Sequence, residues 1–541
     1  MTTFDYIIVG AGTAGCVLAD RLTANGRHRV LLLEAGPSDR RFFVRMPIGY
    51  GRCFFDPEIN WMYRTEPEPA LGGRTGYWPR GKLLGGSGSI NAMVALRGHP
   101  ADFDEWASLG NPGWGWADVL PYFRKLEDSP FGPSTLRGVG GPMQMADVSG
   151  QTHPMCEAFL QGCLEAGLPR SPDLNGATAE GVAHYQISVH QGRRVSTATA
   201  YLRPAMRRAN LQVQTLAHVQ RIGFEGQRAA LLHYSVGGQP RQARASREVI
   251  VCAGSVNTPQ LLQLSGVGPA AQLSALGIPV VHDSPAVGQH LQDHLCIDHL
   301  YRARSPSLNE QLRPWHGKLR VGLKYLLTRR GPLALSVNQA GGFVRSRTGL
   351  ARPDLQLYFS PLSYTRSPKG KRPLMSPDPF PGFMLSAQPC RPASRGHVAL
   401  RSSHPMDPPR IVPNSLADPQ DLEDLLQGAT LLRRLAATPA LARLVAQEMQ
   451  PGSEVQTREQ MIEDIRARCS TVFHPVSTCR MGPDPAQAVV DHRLRVHGLD
   501  GLRIVDASIF PTVTSGNTNV PVVMVAEKAA DLMLEDARLT P

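Results

Sequence analysis

The chain opens on Tyr6-Ile7-Ile8-Val9, an unbroken apolar run of strand type, and Cys16–Leu22 then carries apolar residues at helical spacing. Val30-Leu31-Leu32-Leu33-Glu34 is a second buried run. Two continuously apolar strands joined by a helix predict a β-α-β unit with a parallel sheet. Between residues 37 and 100 periodicity fades and glycines multiply, which predicts a long excursion over a bound ligand. Helical spacing returns at Asp118–Leu126 and Pro154–Leu168. Residues 221–254 alternate like a β-meander ending on Val249-Ile250-Val251-Cys252. Short strands at Asp354–Phe359 and His397–Arg401 lie in the proline-rich stretch 330–415. Asp418–Leu435 is an amphipathic helix with Asp418 as N-cap and Pro419 at its first position. The tail predicts a strand at Leu502–Asp506 and a helix from about Val520 to Leu534.

A chain of 541 residues exceeds one ordinary hydrophobic core. The expected class is α/β with α+β elaboration. A Rossmann-like nucleotide-binding domain would be assembled from residues 1–155, 208–305 and 470–541. Residues 156–207 and 306–469 would form a substrate-binding domain containing an antiparallel sheet.

Composition narrows this little. Hydrophobic residues are 42% and charged residues 19%, which excludes a disordered chain. The net charge of +12 raises nucleic acid and anionic lipid as partners. The basic residues are spread out, however; the densest clusters, Lys318–Arg330 and Lys369–Arg372, are short, and no nucleic-acid motif is present. Peripheral contact with an acidic membrane face is the most this charge predicts. Nine cysteines without C-x-x-C spacing point to reduced thiols and a cytoplasmic setting, at most peripheral on an inner membrane face. No basic-then-apolar leader precedes the first strand, and no run of about 18 apolar residues is present.

The turn between the first strand and helix reads Gly10-Ala11-Gly12-Thr13-Ala14-Gly15. Gly10 permits the tight turn, Gly12 lets backbone approach a pyrophosphate, and Gly15 lets helix and strand pack closely. The N–H groups of Thr13 and Ala14 would open the helix toward the phosphates. Glu34, followed by Ala35, ends the second strand about twenty residues beyond Gly15, where a carboxylate accepts from the adenosine ribose. An acidic residue there argues against a 2′-phosphate and hence against NADP. This motif leaves FAD and NAD both open.

Four further blocks narrow the choice. They are Gly81-Lys82-Leu83-Leu84-Gly85-Gly86-Ser87-Gly88-Ser89-Ile90-Asn91, then Gly254–Gly268, then Phe473-His474-Pro475 through Gly482, and Ser515-Gly516-Asn517-Thr518-Asn519. In this order they resemble the glucose–methanol–choline (GMC) oxidoreductase family across nearly the whole chain, in particular its bacterial alcohol and choline dehydrogenase-like members. The resemblance implies FAD. Glu34 would hold the ribose, and the loop with Gly86, Ser87, Asn91, Ala92 and Met93 would follow the pyrophosphate and flavin. Val219 would meet the adenine, Ala253 and Gly254 the adenosine, and Asp506 and Ala507 the ribityl–pyrophosphate region, with Thr518 near the flavin. Some family members carry a flavin-linked histidine where this chain has Ile90, so noncovalent FAD is expected. Ala92 replaces a serine of some choline-oxidising members, which weakens choline as the substrate.

Alcohol oxidation removes a proton from oxygen and a hydride from carbon; flavin N5 accepts the hydride. The protein must take the proton, and a neutral histidine suits that task. His474 matches the family's catalytic histidine, and Asn517 matches its hydrogen-bonding partner. Pro475 biases His474 toward extended backbone. His190, His294 and His492 lack motif support; His294 reads as a packing residue near the cofactor. No spacing suits a metal. The expected activity is oxidation of a primary alcohol to the aldehyde, with a quinone-like compound or oxygen as electron acceptor. A lyase on the same scaffold and a nicotinamide-dependent reductase are the alternatives. Tyr358, Phe359, Phe380, Phe383 and Met384 suit an apolar substrate pocket or core packing equally well.

Overall fold

The apolar runs and amphipathic stretches form the elements their periodicity predicts, with ends shifted by a few residues. The computed structural model describes residues 2–364 and 376–539, and every count given refers to those. The basic cluster Lys369–Arg372 lies outside them. In chain order the elements that position the site begin with β1 (Thr2–Val9), α1 (Thr13–Thr23), β2 (Val30–Leu33), α2 (Trp116–Leu126) and α3 (Met155–Glu165). There follow β3 (Leu211–Gln214), β4 (Ala217–Glu225), β5 (Arg228–Val236), β6 (Gln239–Val251), α4 (Gly254–Leu264), β7 (Leu295–Ala303) and α5 (Trp315–Thr328). The last are β8 (Ala340–Val344), β9 (Leu355–Ser360), β10 (Gly382–Pro389), α6 (Pro419–Ala436), β11 (Val445–Gln450), β12 (Leu502–Ile504) and α7 (Asn519–Leu539).

The first sheet has seven strands in the order β3-β2-β1-β6-β5-β4, with β12 also paired to β6. Its β3-β2-β1-β6 portion and the β6–β12 pair are parallel, whereas β6-β5-β4 is an antiparallel meander. Ile8 sits between Leu32 and Ile250 and is fully buried, as a strand covered on both faces requires. Helix α1 packs against this sheet and against α7. A buried Glu527 on α7 takes the Arg21 guanidinium at 2.6 Å and the Tyr201 hydroxyl at 2.8 Å, which ties the two ends of the chain together.

The second sheet is antiparallel in the order β8-β9-β10-β7-β11, with the short strand Ser470–Thr471 also paired to β7. Strands β9 and β10 are buried along their whole length, and α3 and α6 share a hydrophobic core with them. Residues 37–100 hold only single-turn helices and two-residue strands such as Tyr63–Arg64 against Tyr77–Trp78.

Two expected boundaries differ. Strand β7 belongs to the second sheet although it precedes residue 305. Ala198, Tyr201, Leu202 and Ala205 join the first core although they precede residue 208. Periodicity reports that a strand or helix has a buried face; it carries no record of which core receives that face.

Gly15 is the tightest point of the β1–α1 turn, because a Cβ there would stand 2.0 Å from the Gly10 carbonyl oxygen. Gly15→Ala is expected to force helix from strand at a cost of about 1–3 kcal/mol. Chemical denaturation measures it; an unchanged unfolding free energy would refute the close-packing account.

Candidate active site

A single cleft runs from the end of β2 to one face of the second sheet. At one end, β1 delivers Gly10 at φ +96° into the turn, and Gly12 begins α1 with no side chain capping it. The first-turn N–H groups of α1 therefore remain available to an anion. The Gly85–Met93 loop lies over this turn. Gly85 N–H donates to the Ala11 carbonyl at 2.7 Å, and a Cβ on Gly86 would stand 2.8 Å from the Gly12 Cα. Thr13 donates its hydroxyl to Asn519 Oδ1 at 2.9 Å, which joins the first motif to the last.

Glu34 is buried beside this turn and accepts the N–H groups of Ala11 and Gly36, both at 2.9 Å. Burial pushes its carboxyl up to about 7. Asp506 accepts from Gly254 N–H at 2.8 Å, the Thr258 hydroxyl at 2.6 Å and Ser508 N–H at 2.8 Å, and burial raises its pKa too. Gly12 and Gly86 leave bare backbone where a side chain would fill the cleft, and a buried carboxylate stands at the end of β2. This donor set and shape fit an elongated dinucleotide with a pyrophosphate at its middle.

The other end of the cleft is built around His474, 8% exposed. Its backbone N–H donates to Asp293 Oδ1 at 2.8 Å, and the Thr471 hydroxyl also bonds this carboxyl. Burial pushes Asp293 up to about 7. Phe473 at φ +70° and Ser477 at φ +74° bracket the histidine, a strained backbone held by these bonds. Arg80 donates to the Phe473 carbonyl at 2.8 Å. Burial lowers Arg80 to about 10, against the opposing pull of Asp293.

The hydrogen-bond network assigns the imidazole tautomers. His294 is fully buried, and its Nε2 lies 2.9 Å from the Cys390 carbonyl, an obligatory acceptor, so Nε2 carries the proton. Its Nδ1 then accepts, and His474 Nδ1 donates to it at 3.0 Å. His474 Nε2 is left with its lone pair and accepts from Asn517 Nδ2 at 3.2 Å. Gln356 in turn donates to Asn517 Oδ1 at 3.3 Å, which fixes the amide's orientation. Burial lowers His294 to about 4. Burial, then His294, then Arg80 hold His474 well below an ordinary histidine. Both rings are neutral at pH 7, and the ring lone pair not taken up between the two histidines is that of His474 Nε2, which meets the Asn517 amide. An imidazole with an aimed lone pair beside a carboxamide donor can accept a hydroxyl proton while the amide holds the oxygen.

All residues expected at the site except Gly15 line this one cleft, Val219 and Thr518 included. Gly15 lies behind the turn, where it allows close packing. His294 corrects the sequence reading: it is a direct partner of His474. The polar doublet Asp293-His294 beside the apolar start of β7 was the one signal for it. Tyr50, Phe54, Trp61, Arg80, Asn338, Ser360 and Tyr364 also line the cleft and carry no motif of their own. Of the aromatic and Met candidates, only Tyr358 lines it; Phe359 and Phe383 fill the second core, and Met384 packs with Tyr50.

The sequence matches the family described as GMC oxidoreductase over residues 4–296 and again over 392–526. The chain belongs to the GMC oxidoreductase family. It is 43% identical to the mitochondrial choline dehydrogenase of Mus musculus over 541 residues, covering 98% of this chain and 89% of the relative. It is 42% identical to the alcohol dehydrogenase [acceptor] of Pseudomonas putida over 535 residues, covering 98% and 96%. Among solved structures, a formate oxidase from Aspergillus oryzae RIB40, studied for the modification of its FAD, aligns at TM-score 0.91 and 27% identity, over 99% of each chain. This GMC family member is an FAD-dependent oxidoreductase acting on alcohol-type substrates.

Proposed function

We propose that the protein oxidises an uncharged primary alcohol to the aldehyde on noncovalently held FAD, with His474 as base and Asn517 bonding the same oxygen. The observation that carries this reading is the directed chain from the Cys390 carbonyl through His294 to His474 Nε2. When bound, FAD supplies the hydride acceptor. The turn at Gly10, Gly12, Thr13 and Ala14 and the Gly85–Met93 loop would hold its pyrophosphate. Glu34 would hold the ribose, Val219 the adenine, Ala253 and Gly254 the adenosine, and Asp506 and Ala507 the ribityl region. Ile90 lines the cleft and brings no nucleophile to it, which supports a noncovalent cofactor. The two buried cores on either side of the cleft support a dinucleotide domain and a substrate domain.

The alcohol hydroxyl would donate to His474 Nε2 and accept from Asn517 Nδ2. His474 takes the proton because its Nδ1–H is already committed to His294. Asn517 has no lone pair on nitrogen and cannot act as the base.

Charge decides between uncharged alcohols and choline. Among the described lining residues the carboxylates are Glu34 and Asp506, both at the dinucleotide end, and Arg80 is a cation near His474. Tyr50, Phe54 and Tyr364 are aromatic lining residues, which favours choline as a second reading, since cation–aromatic contacts contribute about 2 kcal/mol to a desolvated cation. Stripping water from an unpaired cation costs several kcal/mol, so the uncharged alcohol wins. Passage of electrons to a quinone-like acceptor completes the reading, supported by the relative named alcohol dehydrogenase [acceptor]; oxygen is the second reading, favoured by relatives named oxygen-dependent choline dehydrogenase.

Heat or acid should release intact FAD and leave a colourless precipitate; yellow colour staying with the chain would overturn noncovalent binding. His474→Ala should lower kcat about 10²- to 10⁴-fold with FAD content unchanged. Because His474 is depressed, the acid limb of kcat/KM should fall below pH 6.5. His294→Asn removes one depressing neighbour, so that limb should move up while kcat drops up to about 100-fold. A limb that stays in place would reduce His294 to packing. With a dye acceptor, 3,3-dimethylbutan-1-ol should exceed its cationic isostere choline in kcat/KM by about tenfold or more. The reverse order would establish choline-type recognition, and stoichiometric peroxide in air would make the protein an oxidase.

A further inference from the structure

A surface helix ordinarily turns its apolar stripe toward the core. Helix α5 also does the reverse. At 3.6 residues per turn, Gly317, Val321 and Tyr325 share one face, and all three are buried. The opposite face carries Trp315, Leu319, Leu323, Leu326 and Leu327, with 77%, 55%, 50%, 53% and 83% of their surface exposed. Lys318 flanks this stripe on one side and Arg320 and Lys324 on the other, all exposed. Arg329 and Arg330 follow the helix, and no acidic residue stands between Trp315 and Arg330.

The buried face is anchored. Tyr325 packs with Met46 and Ala334 and donates its hydroxyl to the Gly192 carbonyl at 3.0 Å. Tyr50, four residues beyond Met46, lines the cleft. The outward stripe therefore lies on the far side of the layer that walls the substrate end.

We propose that α5 is an interfacial anchor that lays its Trp/Leu stripe into an anionic lipid surface. A stripe flanked by cations, with a tryptophan at one end, is the arrangement that seats a helix at the headgroup boundary. With 14 residues α5 is too short to span a bilayer, and among the described residues no helix is long and apolar enough to do so. Charge separates lipid from a second copy of this chain. Twofold pairing would bring the same cationic flanks together, whereas anionic headgroups neutralise them.

The test is flotation of the FAD-loaded full chain with vesicles of phosphatidylcholine alone or of phosphatidylcholine and phosphatidylglycerol in equal parts. The bound fraction should rise about tenfold on the anionic vesicles and fall when salt is raised to about 0.5 M. Leu319→Glu/Leu323→Glu/Leu327→Glu and Lys318→Gln/Arg320→Gln/Lys324→Gln should each lose this binding while keeping the wild-type flavin spectrum and Tm. Wild-type protein that stays unbound with anionic vesicles overturns the proposal, as does binding that neither variant weakens. A wild-type dimer in sedimentation that the leucine variant splits also overturns it, because the stripe would then be covered by a second copy.

Discussion

The hydrogen bond between two buried imidazoles organises the reacting end of this protein. His294 is pinned by a backbone carbonyl that cannot donate, so its other nitrogen must accept. That requirement passes to His474, whose outer nitrogen is left facing Asn517 and the cleft. The direction of the whole chain follows from one peptide group at Cys390, the residue that follows β10. The second sheet thus contributes more than a wall: it sets which nitrogen of the histidine keeps its lone pair toward the cleft.

Desolvation is the common cause behind the unusual titration of the cleft. Burial raises Glu34, Asp293 and Asp506 and lowers His294 and His474. The two signs are one effect, since a low-dielectric surrounding disfavours whichever form is charged. The carboxylates are nevertheless held by backbone N–H groups and hydroxyls, and Asp293 in particular holds the strained turn at Phe473. A buried polar group left unpaired in such a site costs more than its pairing contributes.

Relatives that share more than 40% identity carry choline or alcohol dehydrogenase names. The family is common ground among such proteins, so on the proposed reading discrimination between alcohols falls to the wall facing His474. That wall is formed by residues from the irregular segment after β2 and from the second sheet, Tyr50, Phe54, Asn338 and Ser360 among them. Among the described lining residues it carries aromatic rings, no carboxylate and one cation, Arg80. The exposed apolar stripe on α5 and its cationic flanks lie apart from the residues that line the cleft.

The amino-acid sequence by itself determined the β1–α1–β2 unit, because Gly10, Gly12 and Gly15 and the apolar runs around them are local constraints within about thirty residues. Its resemblance to the family also singled out His474, Asn517 and Asp506, and all three line the one cleft. Only the tertiary structure decided that His294 partners His474, that β7 joins the second sheet, and that Tyr358 lines the cleft while Phe359 fills the core. Adjacent strand residues point to opposite sides, and periodicity does not say which side holds the cleft. A contact across 180 residues, such as that between the two imidazoles, leaves no periodic trace in either segment. The outward face of α5 belongs to the same class. Its residues spell an amphipathic helix, and only the packed fold decides which apolar side chains remain facing water.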